Sequence, residues 1–585
     1  MTELAADPTV SAPIFFGPAD RSLFGVLSTP QAAAVRGGVV VCPSLGKEQA
    51  ETTRWLKLFA ERLAARGFAV LRFDYPNTGE SAGAQDAPDA AHNWTEGIGQ
   101  AIDYLRSGGA EQIVVVGHRA GALLASQVIA GSGVRYAVAW DPIRKGRQYL
   151  RTKTVLYNMV SEYSDDVAAR VPASAIAAST VDERIHSAGQ TLHADAASEL
   201  RSLTLDPGAF DGVRTLLLSG DDGLVTSFGD VGADVVRIDD QESYLAPNHP
   251  ALLDFPLTDI GVVVDWIDGA IGPERTPFDV ERRTSAVVAH ADDGRPITTD
   301  VYRTSAGIMV WDTAIGDRHD VGKVFVAHSL GQYVRTGPSR LWFEIAVAVA
   351  ARGGRAIRFD RMGVGESGVA DAADGRLALY THDYVDDGLG VLADLRPRAG
   401  ARIVHAGICV GSWMAAHGAR RTAQLPGVKS SVVLVNPLMW RLRPQRRFRV
   451  TDYGSDVAVA GTGRTDEVDT SFRGRLRRKL IWVGGRSARR VRRLPRRWWS
   501  IVGRIPAMSV PDSFFAEFDA AGVDVHVAFA PGDYVYFDDA SGAADAVAAA
   551  GDHVHVVVSA AGDHTSYHAA MRQVVGDTVL RAFEG

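Results

Sequence analysis

Apolar and polar positions alternate along the chain in two rhythms, and the pair of rhythms occurs twice. Residues 38–42 and 323–327 are short continuous apolar runs rich in Val, as expected of strands buried on both faces. Stretches 55–66 and 342–352 follow them with apolar positions at helical spacing, and 13–28 and 286–303 precede them as amphipathic, β-rich segments. Each half then runs through an Arg-Phe-Asp strand, a helix, a glycine-bounded corner, a strand, a long insertion and two last strands with their helices. Strands alternating with helices predict an α/β fold in which each half is a mostly parallel, doubly wound sheet.

The repetition extends to residue identities. Pro43-Ser44-Leu45-Gly46 aligns with His328-Ser329-Leu330-Gly331, Arg72-Phe73-Asp74 with Arg358-Phe359-Asp360, and Gly79-Glu80-Ser81 with Gly365-Glu366-Ser367. Gly117-His118-Arg119-Ala120-Gly121 then aligns with Gly407-Ile408-Cys409-Val410-Gly411, and Asp141-Pro142 with Asn436-Pro437. Blocks in constant order at a slowly growing offset are expected of a tandem duplication with loop insertions. The polar, proline-bearing stretch 272–277 breaks the preceding helix and marks the boundary, giving domains 1–274 and 275–585.

Candidate chemistry concentrates at Cys409. Arg402-Ile403-Val404 reads as a strand and the residues from Met414 as a helix, so the thiol sits at a strand-to-helix corner. Residues without a β-carbon flank it two places before and after, where a sharp elbow crowds its neighbours. A thiol near a helix N-terminus is favoured as thiolate, the nucleophilic form. The corner resembles the nucleophile elbow of the α/β-hydrolase superfamily with Cys in place of Ser, a variant similar to that of dienelactone hydrolases and polyhydroxyalkanoate synthases. The elbow, the turn after it and the basic insertion also look like those of hydrolases associated with exosortase and exopolysaccharide loci.

The resemblance implies an orienting acid and then a His, later in the chain. Strand 525–529 runs into Ala530-Pro531-Gly532-Asp533, and strand 554–558 ends in Gly562-Asp563-His564. The roles carried over are Cys409 as nucleophile, Asp533 as acid and His564 as base. His553 and His555 read as packing or surface residues, His568 as a neighbour of the base, Asp538 and Asp539 as falling too late, and Asp563 as a backup acid. The backbone N–H groups of Leu330 and Val410 are the implied oxyanion hole, with Ser329 departing from the usual Gly. Asp360 and Ser367 are assigned to loop structure, because Asp74 and Ser81 recur in the half without a nucleophile.

At the equivalent elbow the first half carries Arg119, which has no lone pair to offer a carbonyl. Asp221 or Asp222 occupies the acid position and His249 the base position. This half reads as a retired catalytic domain that packs on its twin, shapes access or binds an anion through Arg119. A second site on Ser44 or Ser126 would lack an elbow beneath it.

Charge changes the picture in one place. The formal net charge is −7, yet about 20 of the 62 Lys and Arg residues fall in the insertion 438–522. That insertion and 143–212 are read as lids. Arg441, Arg443, Arg446, Arg447 and Arg449 open the basic one, and Arg477, Arg478 and Arg492 lie where aliphatic and Trp residues interleave with cations. Three readings stay open: docking of an acidic acyl-carrier protein or the phosphates of coenzyme A, contact with an anionic membrane surface, or a solvated charged lid. Nucleic acid is disfavoured because no recognition module accompanies the charge.

At 46% hydrophobic and 22% charged residues, the composition excludes disordered and fibrous classes. Cys42 and Cys409 fall in different halves, so a disulfide framework is not expected and a reducing compartment is. The N-terminal residues lack the pattern of a leader, and no run approaches the roughly 18 apolar residues of a membrane span, which implies a cytoplasmic protein. The expected activity is acyl transfer through a thioester on Cys409, as a thioesterase or esterase when water is the acceptor and an acyltransferase when an alcohol or amine is. A binding or scaffold protein with both halves degenerate is the rival. No cofactor or metal is implied.

Overall fold

The computed structural model describes residues 8–159, 165–177, 183–238, 255–318, 322–331, 333–368, 379–443, 510–539 and 543–585. In the first half the strands are β1 Thr9–Phe16, β2 Leu23–Pro30, β3 Ala34–Val35, β4 Gly37–Cys42, β5 Phe68–Phe73, β6 Ile113–His118, β7 Tyr136–Trp140, β8 Ile185–Ser187, β9 Gln190–Leu192, β10 Arg214–Leu218, β11 Asp234–Val236 and β12 Thr276–Pro277. In the second they are β13 Ser285–His290, β14 Pro296–Arg303, β15 Met309–Ala314, β16 Lys323–His328, β17 Arg355–Asp360, β18 Arg402–Ile408, β19 Lys429–Val435, β20 Asp524–Phe529 and β21 Val554–Val558.

Two large sheets result. The first has the order β1-β2-β5-β4-β6-β7-β10-β11 and the second β13-β14-β15-β17-β16-β18-β19-β20-β21. Apart from β13, the second order reproduces the first strand for strand. In each, an antiparallel hairpin enters the sheet antiparallel to β5 or β17, and every later pairing is parallel.

The continuous apolar runs have a plain cause. Val40 and Cys42 pack into one cluster with the helices Ala90–Ser107 and Ala120–Ser132, while Val39 and Val41 pack into another with Lys47–Ala64 and Leu257–Ala270. A strand covered on both faces cannot alternate apolar with polar positions. β18 behaves alike, with Ile403 in one cluster and Val404, Ala406 and Ile408 in the other. The helix expected over 55–66 begins earlier, at Lys47, because Gly46 at φ 60° releases the chain straight from β4 into it.

The chain between the halves does not part from the first one at 274. Thr276–Pro277 pairs with Ala34–Val35, and Phe278 joins the first half's core. The halves then share a core of their own: Phe15, Phe24 and Val26 pack with Val288, Ile297, Val301, Trp311 and Phe343.

The repeated Arg-Phe-Asp and Gly-Glu-Ser motifs meet at this junction, exchanged. Arg72 of the first half pairs with Glu366 of the second at 3.0 Å, and Arg358 of the second with Glu80 of the first at 2.6 Å. All four side chains are buried. Within each half, Ser81 and Ser367 donate to the carbonyls of Asp74 and Asp360 at 2.6 Å, and those carboxylates accept from the N–H groups of Glu80 and Glu366. Asp360 and Ser367 therefore build the loop that presents Glu366. Arg335 adds a cation, bonding Asp360 at 2.8 Å and Glu80 at 3.3 Å.

Candidate active site

Cys409 follows β18 directly and caps the helix Val410–Thr422, with φ 55° and ψ −116°. Arg119 holds the same place in the first half with φ 53° and ψ −117°. Both corners are as tight as the glycine spacing suggests. A β-carbon on Gly411 would lie 2.4 Å from the carbonyl oxygen of His328, and one on Gly121 would lie 2.0 Å from that of Cys42. Ser412 ties the corner to its neighbour: its hydroxyl donates to the carbonyl of Gly407 at 2.7 Å and accepts from Val435 N–H at 3.0 Å.

The strands β20 and β21 bring two more side chains to this edge. Asp533 lies in the first turn of the helix Pro531–Asp539, and its Oδ1 meets His564 Nδ1 at 2.6 Å. The Cys409 side chain lies close enough to the imidazole to favour its charged form. Burial disfavours the imidazolium, yet the Asp533 carboxylate and the Cys409 sulfur overcome it and hold His564 well above its ordinary pKa. The sulfur-bearing residue keeps 7% of its accessible surface.

Leu330 and Val410 are buried beside the corner. Neither N–H donates to an acceptor among the described residues. Tyr384 fixes the Leu330 loop from outside, donating to the carbonyl of Gly331 at 2.9 Å, and burial raises its phenol to about 12.

The remaining candidates have other employment. Asp563 is buried and accepts from Thr565 N–H at 3.0 Å, from His568 N–H at 2.8 Å and from the Thr565 hydroxyl, so it shapes the turn carrying His564. His568 caps the helix Ala569–Glu584, and His553 pairs with Asp519 and Asp524 on the surface. His555 stacks on His526 with centroids 4.8 Å apart, and Asp538 pairs with Arg170 at 3.6 Å. Asp539 closes its helix.

Sequence reasoning passed over Asn436, noting it only as the counterpart of Asp141. Its Oδ1 accepts from Ala530 N–H at 2.7 Å, and its amide donates to the carbonyls of His564 at 2.8 Å and Asp563 at 3.3 Å. One side chain thus joins the turn before Asp533 to the turn of His564. A polar residue before Pro at the end of a buried strand was the available signal.

In the first half the anion for Arg119 is supplied by the protein. Its guanidinium pairs with Asp141 at 2.6 Å and Glu48 at 3.3 Å, and Glu48 also meets Lys153 at 2.5 Å and the Ser44 hydroxyl at 2.5 Å. Ser126 donates to the carbonyl of Leu123 in its own helix. Asp221 caps a helix and pairs with Arg144, while Asp222 pairs with Arg237. His249 lies outside the described residues, as do Arg446, Arg447, Arg449, Arg477, Arg478 and Arg492. Arg441 and Arg443 are described, at the start of the insertion. No helix among the described residues is long and apolar enough to cross a membrane.

No family model matches the chain, and no curated protein matches it. Solved structures do. A fungal esterase of Rhizomucor miehei matches at 12% identity over 45% of this chain and 84% of its own, with a TM-score of 0.28. An esterase of Pyrococcus furiosus matches at 16% over 46% and 100%, with a TM-score of 0.29, and Est1E of Butyrivibrio proteoclasticus at 13% over 44% and 96%, with 0.30. Each match spans less than half of this chain, and at these identities and scores none carries an inference about its chemistry.

Proposed function

We propose that the chain is a tandem α/β-hydrolase with one working centre, an acyl-transfer enzyme that hydrolyses an ester or thioester through Cys409. The observation that carries this reading is His564, bonded to Asp533 and set close enough to a sulfur held at a strained corner to feel its charge. Asp533 holds Nδ1, which leaves the other ring nitrogen to the sulfur. The proton resides on the imidazole, and the thiolate attacks the acyl carbon. The developing oxyanion is received by the N–H groups of Leu330 and Val410, which sit in a loop and at a helix N-terminus with no acceptor of their own among the described residues. His564 gives its proton to the leaving alkoxide or thiolate, and the acyl group remains on sulfur as a thioester. The imidazole then takes a proton from water, hydroxide adds to the thioester, and the carboxylic acid leaves as the thiolate and imidazolium re-form.

The two free cysteines, one of them the nucleophile, suit a reducing, cytoplasmic setting. Intact mass after mixing with short and long acyl thioesters tests the reading. Wild type should gain one acyl group and Cys409→Ala none; an unmodified wild type across the panel would leave a binding or scaffold role. Adding alcohols or amines to the same assay separates hydrolysis from transfer by the product released.

A further inference from the structure

The insertion after β7 leaves the first half's sheet and reaches the two turns that carry Asp533 and His564. At the end of the helix Gly146–Met159, the Tyr157 ring stacks on His568 with centroids 4.9 Å apart and planes at 16°, and its hydroxyl accepts from Ala569 N–H at 3.1 Å. His568 closes the turn that begins at Asp563 and contains His564. Further along, Arg170 pairs with Asp538 at 3.6 Å, on the helix bearing Asp533, and Val171 enters the second half's core. Ala177 N–H then donates to the carbonyl of Val558 at 2.9 Å, so Ile176 and Val558 form a parallel bridge beyond β21, the strand leading to His564. Thr191 completes the set, accepting from Arg572 at 2.6 Å.

We propose that this insertion is an intramolecular clamp, with Tyr157 and Ala177 as positioning residues that hold the His564 turn in register with Cys409. The proposal rests on the reading of His564 and Asp533 as base and acid, and it gives the half without a nucleophile a role in the other half's chemistry. Asn436 anchors the turn from within its own half, through backbone carbonyls. Tyr157 and Ala177 grip its two outer ends, the helix start at Ala569 and the strand end at Val558. A turn held at both ends loses less freedom when the transition state forms, and catalytic groups tolerate little displacement.

Two variants of the full chain test the clamp. Tyr157→Ala removes the stack and the acceptor. Ala177→Pro removes one N–H, and Ile176 at φ −76° and ψ 121° already has the extended backbone that a following proline requires. Hydrogen exchange over residues 559–570 should rise about tenfold or more in both, with β16 and β18 unchanged. The pH midpoint of Cys409 alkylation should move up by about one unit, and kcat should fall about tenfold with KM within about twofold. Tyr157→Phe, which keeps the stack, should recover most of the loss. Unchanged exchange and an unchanged midpoint in both variants would overturn the clamp. A wild type without turnover or an activated thiol would overturn the enzyme reading instead, and the exchange comparison would still decide whether the first half holds the turn.

Discussion

Cys409 occupies a backbone conformation that costs a residue with a β-carbon about 1–3 kcal/mol. Arg119 bears the same strain at the first half's corner, so the conformation belongs to the corner and not to the sulfur. Removing the side chain should therefore help the fold while ending the chemistry. Cys409→Gly is expected to be about 1 kcal/mol more stable than Cys409→Ala in urea titrations, with both lacking acyl adducts; equal stabilities would show that the corner is relaxed. The imidazole makes a second test at this scale. Without the carboxylate of Asp533, the proton on His564 loses its main support, and with it the charge that faces the Cys409 sulfur. Asp533→Asn should lower kcat about 10²- to 10⁴-fold and slow alkylation of Cys409 at pH 6, as read from the rate against pH.

Between corner and sheet, the two halves solve the same geometric problem with different residues. In the second, Asn436 spans two turns; in the first, Asp141 at the equivalent place is spent on Arg119, and Glu48 on the helix Lys47–Ala64 closes the network. Burial would push Glu48 up, but Arg119, Lys153 and Ser44 override it and bring its pKa down to about 2. A carboxyl depressed below its usual value contributes stability in full above that value and loses it as pH falls toward the folded one. Wild type should therefore lose stability relative to Glu48→Gln between about pH 4.5 and pH 2, on the order of 3 kcal/mol, measured as the difference in Tm-derived free energies. A constant difference across that range would place the charge elsewhere. These elements also show what the sequence could disclose. The strands and the corner were legible because buried runs and glycine spacing are local or repeated signals, whereas the meeting of Asp533 with His564 was an expectation drawn from resemblance. Tyr384 was not legible, since a side chain that bonds a backbone carbonyl leaves no pattern, and Asn436 left only the faint one of a polar residue before Pro at the end of a buried strand. Tyr157 was further out of reach, because its partner lies 412 positions away.

At the scale of the molecule, the exchange of Arg72 and Arg358 across the junction makes each half's loop depend on the other. The two bridges are alike in motif but unequal in support. Glu366 is gripped by Arg72 through both oxygens at 3.0 Å, whereas Glu80 is held by Arg358 at 2.6 Å and also by Arg335 at 3.3 Å. Removing one partner of a buried pair strands the other charge, at a cost of about 3–5 kcal/mol. Arg72→Met should incur most of that cost, since Lys57 and Arg335 favour the Glu366 charge only through space, the Lys57 ammonium bonding the carbonyls of Gly365 and Gly368. Arg358→Met should cost less, because Arg335 remains on Glu80. The bridges also join the two sheets, which share an apolar core beside them. Calorimetry should accordingly give one transition for wild type and a lower, broader or divided one for Arg72→Met, with Arg358→Met between them. Equal losses in the two variants would mean that Arg335 does not compensate, and a single unshifted transition in Arg72→Met would mean that the apolar core alone couples the halves.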